Sequence, residues 1–213
     1  MPKTPEKKTA ARDSQATRAK LIQAVGTILS EKGFTALGIN AVARKAGVDK
    51  VLIYRYFGGM EQLMEAFSRE SNFWPSVEEL AGGNVDTYAR LQLGEKLSQL
   101  ALNYAHALRS RPLTLEIMAW EMVERNHLTN ELEAIRENTI MQFYQLFFTR
   151  HHVDLDLTAL TAIIGAALSY LATRARHIDI FNGIDLKSDQ GWRRLQAAVD
   201  SIISGLLADA GKN

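Results

Sequence analysis

The chain has 213 residues, of which 46% are hydrophobic, with no cysteine and a formal net charge of +1. That is enough apolar material for one large domain or for a small module joined to a medium one. A disulfide framework and a thiolate metal site are excluded. The amino terminus has no apolar stretch of the secretory kind, so a reducing cytoplasm is the expected location.

The near-neutral total hides an asymmetry. Residues 1–60 hold 11 Lys/Arg against 4 Asp/Glu, whereas residues 61–213 hold 14 against 20. A basic start on an acidic remainder is the footprint of a nucleic-acid module attached to a domain that does not touch nucleic acid. An uneven solvated surface has the same arithmetic.

In chain order, residues 1–16 contain almost no large apolar side chain, two prolines and several lysines, which predicts a disordered basic arm with the folded module starting at about residue 15. A helix is predicted from Thr17, where Leu21, Ile22, Val25, Ile28 and Leu29 recur at helical spacing, with Gly33 as a left-handed stop. A short second helix runs from about Ile39 to Ala46 and ends at Gly47. A third starts almost at once, with Asp49 as its N-cap and Val48, Ile53 and Phe57 as its inner side. Further helices are expected at about Met60–Phe73, Asp86–Arg111, Pro112–Asn126, Thr129–His152, Leu157–Phe181 and Asp189–Ala210. Ser76–Val85, with Gly82-Gly83, reads as a flexible loop. The longest apolar run, Leu155 to Ala172, is interrupted by Asp156, Thr158, Thr161 and Ser169 and falls short of the roughly 20 residues of a membrane span, so it reads as a buried helix. No run alternates with period two and no repeat is visible. The expected fold is all-α, with about nine helices and no strand.

The segment from Gly38 to Phe57, GINAVARKAGVDKVLIYRYF, has the form of a helix-turn-helix, in which a glycine permits the tight turn and the second helix enters the major groove. With Val48, Ile53 and Phe57 inward, the outer face carries Lys50, Val51, Leu52, Tyr54, Arg55 and Tyr56. Such a face offers cations for phosphates or guanine edges, phenols for phosphates and methyls for thymine. Tyr54 and Tyr56 taken singly fit packing against the next helix equally well.

The run from Arg18 through Phe34, then Ile39-x-x-Val42-Ala43-x-x-Ala46-Gly47-Val48, then Tyr54-Arg55-Tyr56-Phe57 and Leu63 resembles the DNA-binding domain of TetR regulators over about residues 15–75. The resemblance implies base contacts from Lys50, Val51, Leu52 and Arg55 and phosphate contacts from Tyr54 and Tyr56, with Asn40 on the second helix also reaching a base. It also implies that residues 76–213 form an effector-binding and dimerisation domain. The chain would then be a cytoplasmic, homodimeric repressor released from double-stranded operator DNA by a small apolar or aromatic effector. Three positions depart from the family pattern: Gly38 and Leu37 stand where a hydroxyl residue is common, and Met60 where a lysine is common. The lost hydroxyl at Gly38 would both cap a helix and bind phosphate.

The last two predicted helices carry long apolar faces with interspersed small residues, which allow helices to approach closely. The resemblance implies a dimer interface there, with Gly165, Leu168 and Ser169 on one helix and Ile202, Gly205 and Leu206 on the other. Periodicity alone fits internal packing too. Met and aromatic residues are frequent in the middle helices, and Tyr104, Met118, Met122, Phe143 and Phe147 are candidates for an effector pocket, though ordinary core packing explains each of them as well. The rival reading is an enzyme. Glu124-Arg125-Asn126-His127 matches the Glu-x-x-His of di-iron helical bundles, but that chemistry needs the motif twice, and none of His106, His151, His152 or His177 has Glu three residues before it. Hydrolase and nucleotide motifs are absent, so no catalytic residue, metal, cofactor or membrane partner is expected.

Overall fold

The computed structural model describes residues 6–70, 73–123, 127–149, 151 and 153–210. Among these are eleven α-helices and one short hairpin. Two compact units form: residues 1–73 with 119–133, and residues 74–118 with 134–213. The chain therefore crosses between units three times, and the segment 119–133, assigned from sequence to the larger domain, groups with the first unit.

In the first unit, α1 (Glu6–Lys32) packs against α2 (Ile39–Ala46) and α4 (Met60–Glu70), and α3 (Val51–Phe57) packs on α4. The residues that recur at helical spacing in α1 are the ones it buries, namely Leu21, Ile22, Val25, Ile28 and Leu29, together with Val42, Ile53, Leu63 and Phe67 of the other helices. A single turn of 3-10 helix, Phe34–Ala36, follows Gly33, and the Phe34 ring stands 5.3 Å from that of Trp120.

α1 begins at Glu6, not at Thr17. Most of the segment expected as a disordered arm is thus helical, and residues 1–5 of that arm lie outside the described residues. The reason is that Glu, Lys, Ala, Arg and Gln, which dominate residues 6–16, are strong helix formers. An existing helix propagates readily through residues of high helix propensity.

In the second unit, α5 (Val77–Leu80), α6 (Val85–Ala89), α7 (Leu93–Arg109) and the first part of α8 (Pro112–Glu121) precede most of α9 (His127–Phe147), α10 (Leu157–Arg174) and α11 (Asp189–Ala210). α7 is central and packs against α5, α10 and α11. Three expectations are corrected here. The supposed flexible loop contains α5, because Ser76 and Glu79 form a reciprocal capping box and Asn103 of α7 donates to the Leu80 carbonyl at 2.8 Å. The single helix expected over Asp86–Arg111 is two, because Gln92 and Glu95 start a new helix after the turn at Arg90–Leu91. The helix expected to reach Phe181 stops at Arg174, and Ile180–Phe181 (β1) pairs antiparallel with Ile184–Asp185 (β2). Asn182 and Gly183 have φ of 47° and 75°, the left-handed pair that a two-residue hairpin turn demands.

α10 is also not a fully buried helix. By length and composition it is apolar enough to cross a membrane, yet only 33% of that stretch is buried, and Ala162, Ile163, Ala166, Ala167 and Tyr170 are exposed. The apolar run is continuous round the helix, whereas α7 covers one side of it.

Candidate nucleic-acid interface

α2 ends in a Schellman turn. The Gly47 amide donates to the Arg44 carbonyl at 3.2 Å and the Val48 amide to the Ala43 carbonyl at 3.0 Å, with Gly47 at φ 67°, ψ 34°. This tight turn sets α3 directly after α2. Asp49 Oδ1 accepts from the Val51 amide at 2.8 Å and so caps the start of α3 as its sequence position predicts.

The inner side of α3 is held at two levels. Ile53 is fully buried. Phe57, half-buried, lies under the guanidinium of Arg18, 4.4 Å from the ring centroid, and the same guanidinium donates to the Tyr56 carbonyl at 3.2 Å. On α1 and α2, Glu31 and Lys45 form an ion pair at 2.9 Å.

The outer face follows from this anchoring. Val51 is 61% and Tyr54 52% exposed, and Lys50, Arg55 and Asn40 are exposed as well. Leu52 and Tyr56 are half-buried, and the Arg55 guanidinium leans toward the Tyr56 ring at 5.9 Å. At Gly38 no side chain caps α2, as the missing hydroxyl predicts. Of the seven sequence-predicted positions, Asn40 lies on α2, Lys50 immediately precedes α3 and the other five lie on α3, with three cation- or phenol-bearing side chains, Lys50, Tyr54 and Arg55, open to solvent.

Residues 21–67, which span this arrangement, match the family described as bacterial regulatory proteins, tetR family. Over residues 21–67 the chain is thus similar to the DNA-binding region of TetR-family regulators. No curated protein matches it. Among solved structures it is similar to a TetR-like transcriptional regulator from Rhodococcus sp. RHA1, at 17% identity and TM-score 0.62 over 90% of this chain and 96% of that one. It is similar to a TetR family protein from Vibrio parahaemolyticus at 22% identity and TM-score 0.56, over 87% and 97% of the two chains. NalD of Pseudomonas aeruginosa, described as the secondary repressor of the MexAB-OprM multidrug efflux pump, shares 20% identity and TM-score 0.57 over 90% and 95%. These likenesses establish the fold.

The candidate effector residues do not form one set. Phe143 and Phe147 are buried and stack with Tyr88 at 5.3 and 4.8 Å. Tyr104, also buried, lies 5.7 Å from the Trp74 ring, and its hydroxyl is 2.7 Å from Ser169 Oγ. Met118 is buried in the second unit, but Met122 is 70% exposed and belongs to the first. Met122 was grouped with the others by composition, which carries no information about which side of a helix end is covered.

The candidate dimer residues divide by direction. Leu168 is 3% exposed, and Ser169 is buried against Tyr104, so both belong to the protomer core. Ile202, Gly205 and Leu206 are exposed on α11, and a Cβ built at Gly165 or Gly205 would meet no atom within 4 Å. Ile163, at 69% exposed, and Tyr170 lie on the open side of α10 and were missed from sequence. The signal that could have found them is the spacing Ile163-Ala166-Ala167-Tyr170, one helical stripe offset from the buried Leu157, Leu160 and Leu168.

The Glu124-x-x-His127 motif of the rival reading lies outside the described residues, apart from the backbone of His127. Among the described residues no group of three potential metal ligands occurs.

Proposed function

We propose that the protein is a homodimeric repressor that reads a near-palindromic operator with α3 and is released by a small apolar or aromatic effector bound in the second unit. One observation carries the DNA-reading part: a two-turn helix buries Ile53 and turns Lys50, Val51, Tyr54 and Arg55 to solvent, with Asn40 exposed on the neighbouring helix. Arg55 suits bidentate contact with a guanine, Val51 a thymine methyl, and Lys50 and the two phenols phosphates.

The dimer reading is supported by the bare stripe of α10 and the Ile202–Leu206 face of α11. Their small residues permit close helix approach, and their exposed apolar side chains would otherwise stand in water. A twofold dimer sets two α3 helices on half-sites about 10 base pairs apart or somewhat more. Release follows if an effector shifts α4, since only Gly58-Gly59 separates α4 from α3. NalD is named as a repressor, which favours repression here.

The test is selection of an operator from random DNA, followed by salt-matched gel shifts. Arg55→Ala should lose about 1–3 kcal/mol of discrimination at one base pair, and Tyr54→Phe should weaken all sites alike. Wild-type binding by both variants would overturn the docking.

A further inference from the structure

Two adjacent cations of α2 differ in what they meet. Lys45 Nζ lies 3.0 and 2.9 Å from the two carboxylate oxygens of Glu31 on α1, so this pair presents no net charge to a partner. Arg44 is exposed, and its guanidinium makes no ion pair, hydrogen bond or ring contact among the described residues. Successive residues leave a helix about 100° apart, so the two side chains set out in different directions. Val42 and Ala43 mark the buried side of α2. Lys45 lies to one flank of it, the flank that meets Glu31. Asn40 lies to the other, and Arg44 stands one turn further along with Asn40, both exposed.

The backbone holds Arg44 at the joint between the two short helices. Its carbonyl accepts from the Gly47 amide at 3.2 Å, in the turn that sets the start of α3. At the opposite end of α2, Gly38 has no side chain to offer a phosphate. Any side-chain contact from α2 to a duplex therefore has to come from its exposed flank. In a helix-turn-helix the first helix crosses the sugar–phosphate backbone while the second enters the major groove.

We infer that Arg44 is a phosphate-anchoring residue that positions α2 and α3 on duplex DNA, and that Glu31 withholds the neighbouring Lys45 from the same role. The planar guanidinium fork suits two oxygens of one phosphate. Such a contact fixes register and orientation and carries no base information. This inference rests on the proposed reading of DNA by α3 and adds to it a backbone contact made by α2.

The experiment is fluorescence-anisotropy binding of the full-length protein to the selected operator and to single-base-pair variants of it, over a range of salt concentrations. Arg44→Gln should weaken binding to all these duplexes by one common factor. It should also reduce the slope of log affinity against log salt by about 0.9 for each protomer on the DNA. Arg44→Lys, which keeps the charge, should restore most of that slope, and Lys45→Gln should leave it unchanged. A wild-type slope in Arg44→Gln, an equal loss in Lys45→Gln, or a loss that depends on one base pair would overturn the assignment. Failure of the underlying reading looks different, because the wild-type protein would then bind no duplex in a salt-dependent way, and the inference would fall with it.

Discussion

Arg18 and Phe57 are joined face to cation: the guanidinium of α1 lies 4.4 Å from the ring centroid at the end of α3 and also holds the Tyr56 carbonyl. The N-terminal helix is thereby fastened to the last turn of the helix that faces outward. Arg18→Ala should cost about 1–2 kcal/mol of stability, from one cation–π contact and one charge-assisted hydrogen bond at a part-buried site. Operator affinity should fall with base preference unchanged, because Arg18 steadies α3 without facing DNA. Urea unfolding and binding-site selection on the variant measure the two effects. A changed base preference would mean that Arg18 itself reads the groove.

Gly38 invites the opposite kind of change. It sits at the N-cap of α2 with φ −176°, an extended conformation any residue adopts, and a Cβ there would meet nothing within 4 Å. Gly38→Ser should add the missing side-chain cap and reduce the freedom of the unfolded chain, raising stability by about 0.5–1 kcal/mol. The same hydroxyl can donate to a phosphate, so affinity should rise for all DNA sequences alike. An unchanged denaturation midpoint would mean the serine side chain does not reach the free amides.

On α10, two neighbouring positions should respond differently. Gly165 has open space at its Cβ, so Gly165→Glu should leave the protomer folded and shift sedimentation from dimer to monomer. Leu168 is core, so Leu168→Ala should cost about 2–5 kcal/mol through the cavity it leaves and affect assembly only through stability. A wild-type monomer at micromolar concentration would defeat the interface.

His151 gives a pH dependence whose sign can be worked out. Its pKa in the folded protein is lowered, first by burial and then by Lys96, so the unfolded chain takes up a proton before the folded one does. Stability is therefore complete above the unfolded value of about 6.5 and falls as pH drops from there toward the lowered folded value. Melting temperatures measured across that window should decline in wild type and flatten in His151→Gln. The carboxylates of Glu79, held low chiefly by Arg111, and Asp189, held low by Arg109, lose their contribution only at more acidic pH. The two windows can thus be told apart.

Much of the first unit was legible in the sequence, because its signals are local. The spacing of Leu21, Ile22, Val25, Ile28 and Leu29 names the buried stripe of α1, Gly47 names the turn, and subtracting Ile53 from α3 leaves its outward face. Asn182-Gly183 was equally local and was passed over, since four paired residues are too few to show an alternating pattern. Other features depended on tertiary contacts. Leu168 and Gly165 lie on the same apolar helix, and only the position of α7 decides that one is core and the other bare. Lys96 and His151 are 55 residues apart, and nothing in either neighbourhood marks them as partners. Periodicity reports that a face is apolar. What covers that face, and which distant side chain meets another, is decided by how the helices pack.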